Sequence, residues 1–387
     1  MHQVLRDRLE KKQNDFLYRQ LRQIDSAQAP RINIAGKEYL NFSSNDYLGL
    51  ANHPEVVEGA VKAVCDYGAG AGSSRLICGS LRIHHQLEEK LASFKGVEAA
   101  LCFSTGFAAA LGTIPALISK EDIVIVDKLA HACLLDGIRL SGAKLRIFHH
   151  NDLDDLESIL QWATRTLEPG GNILIITESV FSMDGDQAPL REIVALKARY
   201  GAWLMVDEAH ASGLFGQRGS GLIEDLGLTD QVEIQMGTLG KALGAAGGYI
   251  TGSRTLIDYL INQARSFIFS TAPNPASSGA VIAALRLLEK EGADRRRNVW
   301  KLVHHLRNKL SQLTAQIPSS LIHPFIIGDE QNALRLSKSL FEQGIMVPAI
   351  RFPTVPKNRA RLRITVTHDH SLQEIDRLCQ LLPSQSG

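Results

Sequence analysis

The chain has 387 residues, 44% of them hydrophobic and 21% charged, with a formal net charge of +1. That length accommodates a large core with a smaller domain appended, and the near-neutral balance excludes an electrostatic footprint for nucleic acid or a membrane surface. Five scattered cysteines without a CxxC pair exclude a disulfide framework or zinc knuckle. The N-terminal stretch has no apolar core of a signal peptide, and no run reaches the ~20 apolar residues of a membrane helix, so the expected location is the cytoplasm.

Residues 1–25 place Val4, Leu5, Leu9, Phe16, Leu17, Leu21 and Ile24 at roughly helical spacing, which predicts an amphipathic N-terminal helix or arm. Asp7, Glu10 and Asp15 on its polar side argue against a membrane anchor. Beyond Pro30, residues 32–42 predict a short hairpin leading into Ser43-Ser44-Asn45-Asp46-Tyr47. Residues 54–67 and 84–94 predict helices. Between them Gly68, Gly70 and Gly72 alternate, which allows close backbone approach. No strand precedes these glycines, so they are not a dinucleotide fingerprint.

From Val97 the pattern becomes strand, loop, helix, repeated, with apolar runs at 99–103, 123–126, 145–148, 173–177, 202–206 and 232–236. Such runs predict an α/β fold with a mostly parallel central sheet covered by helices. Ligands then sit beyond the carboxyl ends of the strands, at residues 104–107, 127–131, 178–182, 207–210 and 238–241. Helix-like 296–313 and 330–343, with strand-like 325–327 and 362–366, predict a smaller α+β domain. The expected division is an arm at 1–50, a large domain at 51–285 and a small one at 286–387.

Val206-Asp207-Glu208-Ala209-His210 has the letters of the DEAH acid pair of an ATPase, but the phosphate loop is absent. Around Lys241 the required first glycine is Gln235 and the required Ser/Thr is Ala242. A metal site is not expected: His84-His85 and His149-His150 are adjacent pairs, His368-Asp369-His370 lacks a partner cluster, and no HExxH occurs. Cys102 ends an apolar run and reads as core.

A different constellation uses more of the chain. Lys241 is the sole basic residue of 232–252, framed by glycine and alanine that read as room for a ligand. A desolvated lysine of this kind can serve as covalent anchor or base. A pyridine cofactor with an aldehyde requires one, together with a carboxylate at the ring nitrogen, a flat group over the ring and donors for its phosphate. Asp207 can supply the carboxylate, with His210 near the ring hydroxyl and His131 stacked on the ring. Thr105-Gly106-Phe107 opens a helix and can hold phosphate on its N–H groups. Singly, each residue has a plainer role as cap, turn glycine or core histidine. Their placement after successive strands has none.

The ordered motifs STGF, DKLAHACLLDG, ESVFSMDGDQAPL, VDEAH, GTLGKALGAAGG and FIFSTAPNPA resemble the α-oxoamine synthases, fold-type-I pyridoxal-phosphate enzymes, over about residues 41–382. The resemblance implies pyridoxal 5'-phosphate as cofactor, a fold-type-I transferase with a small C-terminal domain, and a homodimer sharing its sites. Lys241 would hold the cofactor and remove the amino acid α-proton, Asp207 would meet the ring nitrogen, and His210 and Ser182 the ring hydroxyl side. His131 would stack on the ring and touch substrate. Gly106, Phe107 and Thr238 would bind phosphate, with Ser270 and Thr271 reaching the partner subunit's phosphate. Arg363 would grip the amino acid carboxylate, and Arg19, Asn45, Arg351 and Thr354 are acyl-substrate candidates. Glu178 would orient the site.

SSNDYLGL and AIRFPTVP…ARLRIT are closest to the branch that condenses L-alanine with a pimeloyl thioester for biotin. Glycine with a short acyl-CoA, serine with a long one, and an aminotransferase remain the alternatives. Cys133 stands where serine is common, and Phe352 where a proline is usual. Both departures leave the acyl-chain length open.

Overall fold

The computed structural model describes residues 1–314 and 317–384, so residues 315–316 and 385–387 of the segment expected at 286–387 lie outside the described residues. The chain divides into two compact units. One comprises Met1–Tyr47, Met183–Gly185 and Asn298–Gly387, the other Leu48–Ser182 and Asp186–Arg297. The segment expected as a separate arm is thus grouped with the C-terminal one.

In the smaller unit, the predicted N-terminal helix forms over His2–Asn14 and buries none of its residues, so its apolar Val4, Leu5 and Leu9 remain exposed. The predicted hairpin forms from β1 (Arg31–Ile34) and β2 (Lys37–Asn41), antiparallel through Ala35 and Gly36, both at positive φ. That geometry suits a tight two-residue turn.

The larger unit carries a seven-stranded sheet of β3 (Ala99–Phe103), β4 (Ile123–Asp127), β5 (Lys144–Phe148), β6 (Ile173–Glu178), β7 (Trp203–Asp207), β8 (Ile234–Thr238) and β9 (Gly248–Gly252). Their order is β3-β9-β8-β7-β6-β4-β5. Strands β4 to β8 run parallel, as the unbroken apolar runs predict. The sequence reading missed β9, which pairs antiparallel with both β8 and β3. Its run Gly-Tyr-Ile-Thr-Gly is short and glycine-bounded, and it returns from β8 through the Lys241 turn, without a crossover helix.

Ala109, Ala110 and Ile114 of the helix Gly106–Leu117 join Leu134 and Ile138 of Ala132–Ser141 in one core with Val124, Val126, Leu174 and Ile176 of the sheet. Each fully buried aliphatic side chain contributes about 1.5–3 kcal/mol, so this layer fixes the strand ends that follow it. The predicted helix 296–313 is the latter part of a 36-residue helix, Pro275–Leu310, which runs through the boundary expected near residue 285. Val281, Leu285, Leu288, Val299, Leu302, Val303, Leu306 and Leu310 stay buried along it. That continuous face outweighs the ~1 kcal/mol helix penalty of Gly292.

Two further features complete the smaller unit. Strand β10 (Ile322–Gly328), β11 (Ile345–Met346), β12 (Ala349–Ile350) and β13 (Ala360–Thr365) follow, with β11 parallel to β2 and a separate antiparallel sheet ordered β10-β13-β12. Central β13 is buried along its whole length and carries Arg361 and Arg363.

Candidate functional site

Strand order reverses at β4: the chain passes from β4 to β5 on one side, then returns to place β6 on the other. Such a switch point opens a crevice at the carboxyl ends of the strands. Here those ends carry Asp127, Glu178, Asp207 and Thr238.

Glu178 lies directly across the β6–β7 ladder from Asp207. Burial and the Asp207 charge hold the Glu178 carboxyl well above the usual carboxylate range. Its Oε1 accepts the His131 backbone N–H at 2.6 Å, which fixes the start of the helix Ala132–Ser141. Asp207 is 5% exposed; its Oδ1 accepts from Ala209 N at 2.9 Å, and no hydrogen-bond donor among the described residues reaches Oδ2. His131 caps its helix through Nδ1, which accepts from Cys133 N at 3.3 Å and lies 3.0 Å from Cys133 Sγ. With Nδ1 accepting, the ring proton sits on Nε2. Burial lowers the His131 pKa, Asp207 opposing and Lys241 adding to the shift. Burial likewise pushes the Cys133 thiol up, so it is no thiolate nucleophile at neutral pH.

Lys241 Nζ lies 2.9 Å from His210 Nε2, and His210 is buried on the turn after β7. The lysine is half-buried, on a turn closed by Leu239 N to Gly247 O at 3.0 Å and Gly244 N to Lys241 O at 2.9 Å. Gly244 has φ +66°, and a Cβ there would meet the Leu50–Ala51 backbone at 2.5–2.6 Å. The glycines expected as room for a ligand are therefore filled by protein at this position, and they brace the lysine.

Thr105 caps the helix Gly106–Leu117 by accepting from Ala108 N at 2.9 Å. The Gly106 and Phe107 amides donate to no protein group among the described residues, as expected of a helix N-terminus built for an anion. A Cβ on Gly248 would lie 2.5 Å from Gly106 N and Cα, so β9 packs directly beneath this helix start. Thr238 is brought close: its Cβ would lie 3.7 Å from a Cβ at Gly106. Its hydroxyl donates to Gly247 O at 3.1 Å and accepts from Gly240 N at 3.2 Å, so it also braces the Lys241 turn. Ser182 is half-buried in the turn after β6. Ser270 and exposed Thr271 sit elsewhere in this unit, where Thr271 bridges Ser74, beside the 70% exposed Phe269.

In the smaller unit, Arg363 Nη1 donates to Asn45 Oδ1 at 3.0 Å, and Tyr47 Oη lies 3.2 Å from the same oxygen. Arg19 Nη2 donates to Thr354 Oγ1 at 3.0 Å. Arg351 is tied to the backbone oxygens of Phe16 and Tyr18. Burial, then the Arg19 charge, lowers its pKa. Apart from His131, the substrate candidates thus form two groups, Asn45 with Arg363 and Arg19 with Arg351 and Thr354.

Sequence reasoning missed two supports of the site. Fully buried Glu208 pairs with Lys95 and accepts from Ile223 N at 3.0 Å, while Lys95 also donates to Ser220 O at 2.8 Å. The isolated basic residue at Lys95, ending an otherwise amphipathic helix, was the available signal. His150 sits between Asp127 and Asp186, marked only by the His150-Asn151-Asp152 turn after β5.

The profile of the family "Aminotransferase class I and II" matches residues 37–382. The chain is 44% identical over 374 residues to the 8-amino-7-oxononanoate synthase of Thermoanaerobacter pseudethanolicus, covering 96% of this chain and 94% of that one. Among solved structures, the serine palmitoyltransferase of S. paucimobilis with a bound pyridoxal-phosphate adduct is similar at TM-score 0.90 and 28% identity, covering 98% of this chain and 95% of that one. An 8-amino-7-oxononanoate synthase from Francisella tularensis is similar at TM-score 0.76 and 29% identity, covering 89% of this chain and 96% of that one.

Proposed function

Because the chain belongs to the class I and II aminotransferase family, we propose that it is a pyridoxal-phosphate-dependent acyltransferase. Its reaction is the decarboxylative condensation of L-alanine with pimeloyl-CoA or pimeloyl-ACP to 8-amino-7-oxononanoate, within biotin synthesis. It acts as a cytoplasmic homodimer. Relatives 41–44% identical over nearly the whole chain bear that synthase name, which supports this reading.

One observation carries the cofactor: complementary groups left open at one sheet edge. Asp207 Oδ2 has no donor and the Gly106 and Phe107 amides have no acceptor among the described residues, beside the Lys241–His210 pair. A ring N–H, a phosphate and an aldehyde satisfy these in turn, so the residues fit pyridoxal phosphate. Lys241 would hold it, Asp207 its ring nitrogen, His210 and Ser182 its hydroxyl side, and Gly106, Phe107 and Thr238 its phosphate. Ser270 and Thr271 would serve the partner subunit's phosphate. When bound, the cofactor supplies the electron sink that makes the amino acid α-carbon acidic.

The chain's own residues do the rest. Lys241 Nζ takes the α-proton, with His210 Nε2 2.9 Å away to orient the amine. His131, its backbone held by Glu178 and its ring by Cys133, presents Nε2–H to the substrate. The Arg363 guanidinium, held by Asn45, pairs with the amino acid carboxylate. Arg19, Arg351 and Thr354 serve the acyl substrate.

The test is coenzyme A release from pimeloyl-, acetyl- and palmitoyl-CoA, each with alanine, glycine and serine. Release confined to alanine with pimeloyl-CoA is expected. The TM-score of 0.90 to a serine palmitoyltransferase favours, as the second reading, another α-oxoamine synthase, for which serine with palmitoyl-CoA would be the active pair. Keto-acid-dependent amino transfer without thiol release would instead establish an aminotransferase.

A further inference from the structure

His150, Asn151 and Asp152 follow β5 directly, and each has a separate task. Asp152 caps the helix Leu153–Thr166, accepting from Asp155 N at 3.0 Å. Asn151 has φ +55°; its backbone N–H reaches Asp127 Oδ2 at 3.0 Å, and its side-chain amide donates to Asp186 Oδ2 and Gln187 O, both at 3.1 Å. His150 Nδ1 lies 2.9 Å from Asp127 Oδ1, and its Nε2 lies 2.6 Å from Asp186 Oδ2. A neutral imidazole has one N–H, so two bonds to carboxylate oxygens require the imidazolium. Asp127 and Asp186 are the charged groups that face this ring, and Phe181 meets it edge-on with centroids 4.4 Å apart. The neighbouring His149 has a 72% exposed side chain, whose ring meets Asp155.

Both residues set turns that lead to candidate site residues, Asp127 through its carboxylate and Asp186 through its backbone carbonyl. Asp127 Oδ1 also accepts Leu129 N at 2.7 Å, shaping the turn that ends at His131. Asp186 O accepts Phe181 N at 3.0 Å, closing the turn that contains Ser182. We propose that His150 is a positioning residue, a cationic clamp between Asp127 and Asp186 that fixes the His131 turn against the Ser182 turn. The proposal rests on the reading that His131 packs on the pyridoxal ring.

The test is a double-mutant cycle read as affinity for pyridoxal 5'-phosphate, by absorbance titration of the purified protein. His131→Ala and His150→Gln should each weaken uptake, the latter by about tenfold, a coupling typical of residues in one hydrogen-bonded network. The double variant should bind no more weakly than His131→Ala alone, because His150 acts through His131. A purely structural role would make the two losses additive and overturn the clamp. Asp186→Asn leaves the Asp127 bond in place and should match His150→Gln; wild-type affinity in that variant would also overturn it. Wild-type protein that takes up no pyridoxal phosphate would overturn the functional reading and the clamp together, whereas normal uptake with additive losses overturns the clamp alone.

Discussion

Asp207 and Glu208 are adjacent carboxylates at the end of one strand, 5% and 0% exposed, and the protein uses them in opposite ways. Glu208 faces the interior, where Lys95 neutralises it and the Ile223 amide completes its hydrogen bonding. Asp207 faces the opposite side, with Oδ2 uncommitted and His131, Glu178 and Cys133 all within its electrostatic reach. A strand's alternation produces the split, since successive side chains point to opposite faces. The saturated carboxylate holds the fold; the incompletely bonded one is the group that the proposed function assigns to the cofactor. Lys95 and Lys241 repeat the contrast, one locked on Glu208 and Ser220 and the other beside a histidine on a glycine-braced turn.

Breaking the saturated pair should have the largest effect. Lys95→Met leaves the buried Glu208 charge unmatched and should cost roughly 3–5 kcal/mol of unfolding free energy in denaturant titration. Adding Glu208→Met should recover much of that. Asp207→Asn should do the reverse: nearly wild-type denaturation, with coenzyme A release reduced by roughly 10²–10³-fold.

The sharpest parts of the fold and site to emerge from sequence were those with strong local signals. Fully apolar strands located the parallel sheet, and the residues following them included Lys241, Asp207, His210, His131 and Gly106. Pairings decided only by the folded chain were not legible. Antiparallel β9 was hidden because its run is short and its neighbours are set by the Lys241 turn. The roles of Glu208 and His150 depend on Lys95 and Asp186, 113 and 36 residues away in the chain. The Lys241 glycines were seen, but the packing of Gly244 against the Leu50–Ala51 backbone was not. The exposed His2–Asn14 helix shows the converse, since apolar spacing alone did not bury it.

The His150 clamp extends the comparison to pH. Burial lowers its proton affinity, but the hydrogen bonds and charges of Asp127 and Asp186 outweigh this and raise its pKa from 6.5 to about 10. Because the folded value lies above the unfolded one, its stabilisation is complete below about pH 6.5 and is lost as pH rises through about 10. Thermal unfolding should therefore show an alkaline decline that His150→Gln flattens.

The smallest effect is expected at Glu178. Burial and Asp207 favour its protonated form, and Gln can keep accepting the His131 N–H. Glu178→Gln should change coenzyme A release by only a few-fold, whereas Glu178→Ala should lose more by freeing that turn.

The central claim is that Lys241, the lysine beside His210, anchors the cofactor. The direct measurement is the visible absorbance of purified protein after incubation with pyridoxal 5'-phosphate, for wild type and Lys241→Ala. The account predicts a band in the wild type that persists through desalting and is absent from the variant, with far-UV circular dichroism unchanged. An identical persistent band in Lys241→Ala would contradict it.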